Sequence, residues 1–195
     1  MPSPAHPTGT VRSLLATDAV TRATAKALNE RLQQKGITPR FFDARAYDQL
    51  SVVCDILLDQ TAKKRLVHVA AFIDERLADG RSGGWRFDHM PPDPEMYLEG
   101  LKGIDETARS MFSENFVVLA IEKQRAVLLA LQTGSAAGMI WKRMSPITFF
   151  EELLTEATEV FYAHPLAQEE IGYQGMADAY GWQKIGLNET EDEAG

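Results

Sequence analysis

Apolar residues recur at three- and four-residue steps along most of this chain, the spacing of helices that bury one face. Val20, Ala23, Ala27, Leu28 and Leu32 fall on one side of a first helix, capped by Thr17 or Asp18 and stopped by Gly36. A second starts at Asp43 and carries Ala46, Tyr47, Leu50, Val53, Cys54 and Leu57. A third, over 62–78, turns Leu66, Val69, Ala70, Ile73 and Leu77 inward and ends at Gly80. Asp93-Pro94 pairs an N-cap with a first-turn proline and opens a fourth helix through Tyr97, Leu98, Leu101, Ile104, Ala108 and Phe112. Phe116, Leu119, Ile121, Leu128, Leu129 and Leu131 mark a fifth, closed by Gly134. Pro146, with Thr148 and Glu151 as a capping box, opens a sixth along Phe150, Leu153, Leu154, Ala157 and Phe161. His164-Pro165 stops it, because the residue before a proline is pushed out of the helical region. No stretch alternates with the period of a strand, and no repeat is present. The expectation is an all-α fold, a single irregular domain of about six helices over 14–187. A disordered lead-in over 1–13 precedes it and an acidic tail over 188–195 follows.

Two stretches break the helical pattern. G-R-S-G-G-W-R-F-D-H-M-P-P-D-P is a long loop in which Trp85 and Phe87 either pin the loop to the body or meet a partner. After His164-Pro165, Gly172, Gly175, Gly181 and Gly186 alternate with Tyr173, Met176, Tyr180, Trp182, Ile185 and Leu187. Glycines at that density permit sharp turns, and aromatics this large need cover. The segment therefore folds back on its own core or lies under another protein, and both readings stand.

Charge narrows the partners. The net charge is −8, of which Glu189, Glu191, Asp192 and Glu193 in the tail carry half. A mildly acidic body lacks the basic patch that nucleic acid requires. No run approaches the roughly 20 apolar residues of a membrane span. The first residues, M-P-S-P-A-H-P-T-G-T-V-R-S, carry no secretory or twin-arginine signal pattern, which points to the cytoplasm.

The chemistry-bearing residues are sparse. Cys54 is the single cysteine; it sits on an apolar helix face with no basic neighbour in sequence, so it reads as core rather than as a reactive thiol. The four histidines, His6, His68, His89 and His164, have no metal-ligand spacing. Gly172-Tyr-Gln-Gly175 follows no strand, so it is no dinucleotide fingerprint. Glu151-Glu152 and Glu169-Glu170 read as solvated helix faces. No catalytic, cofactor-binding or metal residue is expected in this chain.

The pattern T-F-F-x-x-L-L with Phe149 and Phe150, a helix ending F-Y-A-H-P with Tyr162, then G-x-x-G and G-W-x-x-I-G-L, resembles the C-terminal signature of the gluconate 2-dehydrogenase subunit 3 family. Weaker similarity runs through Thr21-Arg22-Ala23-Thr24, Phe72-Ile73-Asp74, Gln124 and Leu128-Leu129. The resemblance implies a small helical, non-catalytic subunit accompanying an FAD-dependent sugar or polyol dehydrogenase of the gluconate, glucose, fructose or glucoside 3-dehydrogenase type. FAD would sit on a GMC-type large subunit, with a cytochrome c or another acceptor taking the electrons. The small subunit would support folding, stability or export of the flavoprotein. Exported members typically carry a twin-arginine signal; here either the partner supplies the address, or a leader has been trimmed from this sequence, or the complex stays in the cytoplasm. Tyr162, Tyr173, Met176, Tyr180, Trp85 and Phe87 are the expected partner contacts. Phe149, Phe150, Gly172, Gly175, Gly181, Trp182, Ile185, Gly186 and Leu187 form the shared structural motif. Two other readings remain: a stand-alone helical enzyme whose pocket gathers His164, Tyr173 and Tyr180, and a helical adaptor for an unrelated protein.

Overall fold

The computed structural model describes residues 10–33, 38–82 and 90–173, and what it describes is all-α, with no strand among those residues. The chain divides into two compact units, one of residues 37–161 and one formed by the two terminal stretches, 1–36 and 162–195. A single domain was the sequence expectation. The division follows from long-range pairings between the chain's ends that periodicity does not carry.

In the terminal unit, α1 (Val11–Leu14), α2 (Arg22–Leu32) and α8 (Pro165–Glu170) surround a small core of Val11, Val20 and Leu28, with Leu14, Leu15, Ala19 and Ala25 packed against it. Val11 thus lies in a helix although the sequence placed it in the lead-in. Arg12 secures the turn: its backbone N–H donates to Glu169 Oε1 at 2.8 Å, and its guanidinium binds both carboxylate oxygens of the same residue. Thr21, not Thr17 or Asp18, caps α2, its Oγ1 accepting the Thr24 N–H at 3.3 Å. The buried side of α2 carries Leu28 with Ala25, while Ala23 and Ala27 are exposed. Gly36 lies outside the described residues.

The central unit is built from α3 (Ala44–Leu57), α4 (Val69–Ala78), α5 (Asp93–Phe112), α6 (Ile121–Gln132) and α7 (Pro146–Tyr162), whose last residue passes into the terminal unit. Single 3-10 turns precede α6, at Phe116–Val118, and α7, at Ile140–Lys142. Asp43 caps α3 as expected, accepting from the Ala46 N–H at 2.8 Å. The third helix is shorter than its periodicity, because Gln60 holds the chain ahead of it in another shape. The Gln60 Oε1 accepts from the Leu66 and Val67 N–H groups at 2.7 and 3.0 Å, and its Nε2 donates to the Val67 carbonyl. The cap of α7 is Ser145, whose Oγ accepts the Thr148 N–H at 3.2 Å; Thr148 is buried and Glu151 exposed, so no capping box forms between them. Gly134 closes α6 with φ +73°, the left-handed conformation that ends many helices.

Glycine sets how closely α5 packs. A Cβ built on Gly100 would lie 2.0 Å from Phe149 Cε2, and one on Gly103 would lie 2.4 Å from Trp141 Cζ2. These two positions, one turn apart on α5, receive the rings of α7 and the 3-10 turn before it. The Trp141 indole N–H donates to Thr107 Oγ1 at 2.8 Å, so the ring's one polar atom is satisfied inside. Tyr97, Phe116, Phe149, Leu50, Ile73, Ile104, Leu131 and Leu153 are the largest fully buried side chains among the described residues.

Candidate partner interface and its ionic frame

Several charged side chains in the central unit tie its helices to one another. Arg76 on α4 donates from Nε and Nη2 to Glu156 of α7 at 2.6 and 2.8 Å, and from Nη1 to Asp93 at the start of α5 at 2.7 Å. Tyr97 of α5 donates its hydroxyl proton to the same Glu156 carboxylate. One guanidinium therefore ties three helices. Burial alone would lower the Arg76 pKa, but the bonds and charges of Glu156 and Asp93 outweigh it and raise it. Burial, then the Glu156 charge, pushes the Tyr97 phenol well above its ordinary value, so it stays a donor.

Three further carboxylates hold the frame. Asp105 accepts from Arg45 Nη2 at 2.6 Å and from the Phe116 N–H at 3.0 Å, fixing the 3-10 turn to α5. Asp55 takes a two-point grip from Arg65 at 2.7 and 2.6 Å. Asp74 accepts the N–H groups of Arg40, Phe41 and Phe42. Among the described residues, every buried side-chain nitrogen or oxygen has a hydrogen-bond partner. Cys54 is 2% exposed and burial drives its thiol pKa up, which makes it core as the sequence suggested. No group of three or more His, Cys, Asp or Glu is placed to hold a metal ion, and no helix is long and apolar enough to cross a membrane, among the described residues.

Of the expected partner contacts, Tyr162 and Tyr173 are described, 44% and 49% exposed. They flank α8, and Gln168 links their backbones: its Nε2 donates to the Tyr162 carbonyl at 3.0 Å, and its own carbonyl accepts the Tyr173 N–H at 2.8 Å. Ile171 beside them is also exposed. Trp85, Phe87, Met176 and Tyr180 lie outside the described residues, as do Gly175, Gly181, Trp182, Ile185, Gly186 and Leu187. Phe149 and Phe150 are buried, and Gly172 turns the chain after α8 with φ +69° and open space around it. His164, a candidate for an assembled catalytic pocket, is instead buried as the cap of α8. Its Nδ1 accepts the Leu166 N–H at 3.2 Å, and its Nε2–H donates to the Arg31 carbonyl at 3.2 Å. Burial lowers its pKa, which keeps this neutral tautomer.

Sequence periodicity missed part of the exposed apolar surface. Ile121 and Leu129, two of the apolar residues that mark the fifth helix, are both exposed, Leu129 at 56%. Val118, just ahead of them, is 69% exposed. A separate groove of about 290 Å³ has a floor of Met90, Ile140 and Met144 and a rim of Pro91, Glu95, Glu99 and Arg143. Lys102 and Arg143 both pair with Glu99 at 2.9 Å, and the Lys102 bond leads in holding that carboxyl below its usual range.

Residues 44–186 match the family described as gluconate 2-dehydrogenase subunit 3. The chain belongs to that family. No curated protein and no solved structure matches it. The matched stretch opens on the first residue of α3 and takes in α3 to α8, so the Arg76, Asp105 and Asp55 pairs of this subunit 3 chain lie inside the family segment, while α1, α2 and the Arg40, Phe41 and Phe42 donors to Asp74 precede it. The family is one of subunits of a dehydrogenase complex, which makes exposed apolar surface on this chain candidate contact surface.

Proposed function

We propose that this subunit 3 chain is the accessory, non-catalytic small subunit of an FAD-dependent sugar or polyol dehydrogenase, of the gluconate, glucose, fructose or glucoside 3-dehydrogenase type. A GMC-type large subunit carries FAD and the oxidation, and a cytochrome c or another acceptor takes the electrons. The chain supports folding, stability or export of that flavoprotein. The observation that carries the reading is the family match over 44–186. Two features of the fold support it. The buried ionic groups are spent on joining helices, as a scaffold requires. Half-exposed Tyr162 and Tyr173 offer the aromatic anchors that interfaces favour. The test is co-expression with the flavoprotein large subunit. A yellow complex of fixed ratio is expected, weakened by Tyr173→Ala while the subunit's melting temperature holds. A flavoprotein that is soluble and active alone, and never co-purifies with this chain, refutes the proposal.

A further inference from the structure

The outward side of α6 carries a ridge that stays exposed among the described residues. Gln124, Val127, Leu128, Ala130 and Leu131 face the core. Ile121, Arg125 and Leu129 then follow at four-residue steps on the other side, where such residues are neighbours. Val118 extends the ridge at one end. Ile147 meets it at the other, its Cδ1 3.0 Å from where a Cβ on Gly134 would sit. At about 1.5 Å per residue the helical part of the ridge, from Ile121 to Leu129, is about 12 Å long. Single exposed aliphatics are ordinary on a protein surface. An aligned row is not, and Leu129 lies near the middle of the solvent-facing arc.

The ridge has a cation at its centre. Arg125 is 59% exposed, and the charge paired with it is Asp59, 3.6 Å away and 95% exposed. Exposed pairs of this kind hold a side chain weakly, so the guanidinium is available to a better acceptor. Covering the ridge would strip water from Arg125, which is costly unless a carboxylate meets it. Charge thus selects the occupant: an apolar groove with an Asp or Glu set midway along it. A net charge of −8, with Glu122 on the same arc, disfavours an anionic lipid surface.

We infer that the ridge of Val118, Ile121, Arg125, Leu129 and Ile147 docks into such a groove on the dehydrogenase's large subunit, in the manner of a helix laid in a cleft. This rests on the proposed function and adds the contact face and the chemistry of its counterpart. The experiment measures binding of the full chain to the purified flavoprotein subunit, for the wild type, Leu129→Glu, Arg125→Gln and the control Arg22→Glu. Leucine, arginine, glutamate and glutamine are all good helix formers, so the exposed substitutions should leave the melting temperature unchanged. Leu129→Glu is expected to weaken Kd on the order of thirtyfold, as loss of a central anchor does. Arg125→Gln should weaken it about tenfold, less so at high salt. Arg22→Glu should bind as the wild type does. Wild-type affinity in Leu129→Glu or in Arg125→Gln overturns the inference and leaves the accessory-subunit reading intact. Wild-type chain that fails to bind the flavoprotein refutes both. Binding to phosphatidylglycerol vesicles that Leu129→Glu abolishes, with flavoprotein binding unaffected, reassigns the ridge to a lipid surface and likewise overturns it.

Discussion

Replacing Gly100 by alanine sets two effects of opposite sign against each other. Alanine in the middle of a helix is favoured over glycine by about 1 kcal/mol, because the unfolded glycine has more freedom to lose. On that ground Gly100→Ala, deep in α5, should stabilise. The tertiary structure says otherwise. The new Cβ would lie 2.0, 2.2 and 2.6 Å from three carbons of the Phe149 ring, whereas carbon contacts relax near about 3.5–4.0 Å. The ring has little room to retreat, with Tyr97 at 6.5 Å and Trp141 at 5.8 Å between centroids. Either the ring leaves its place or α5 and α7 separate by roughly 1.5 Å along this contact. Overpacking of this kind costs about 1–3 kcal/mol and occasionally more. Three contacts that short put the cost at the upper end, so the net loss is about 2 kcal/mol. For a chain of this size that lowers Tm by roughly 4–8 °C. Thermal and urea unfolding followed by circular dichroism measure it. The double variant Gly100→Ala/Phe149→Leu should be less damaged than the sum of its singles, since the smaller side chain vacates the clash. A Tm that rises in Gly100→Ala, or strict additivity in the double variant, would show that the ring does not occupy this space.

Three further outcomes follow from the ionic and titratable groups. Glu156→Ala strands Arg76 with Asp93 alone and removes the acceptor of the Tyr97 hydroxyl, and breaking so enclosed a network should cost about 3–5 kcal/mol in urea unfolding; a loss under about 1 kcal/mol would mean water replaces the carboxylate freely. Burial lowers the pKa of both His164 and His68, so the unfolded chain takes up these protons first and stability should decline as pH falls below about 6.5. His164→Gln should flatten part of that slope, and an unaltered slope in this variant would remove His164 from the account. Cys54 should resist a thiol reagent in the native protein at pH 8 and react at once in denaturant, because burial holds it protonated; prompt native labelling would place it at the surface.

The sequence by itself determined the helical class, the positions of the long helices and the family signature, because each is written in local order. A 3.6-residue apolar period needs only its own neighbours, and so does the Asp43 cap or the stop at Gly134. The same local logic failed wherever a distant residue decided the outcome. Val11 and Arg12 read as lead-in until Glu169, 157 positions away, supplies the carboxylate that fixes them. The 62–68 stretch carries helical periodicity, yet the Gln60 side chain satisfies its backbone in a different shape. Ile121 and Leu129 fit a core pattern as well as Leu128 and Leu131 do, since periodicity identifies an apolar residue but not whether a neighbouring helix covers it. Nor does local order show that Glu156 on α7 receives Arg76 and Tyr97 from α4 and α5. Burial and charge pairing are properties of the assembled helices, and only the tertiary structure decides which side chains close the core and which remain for a partner.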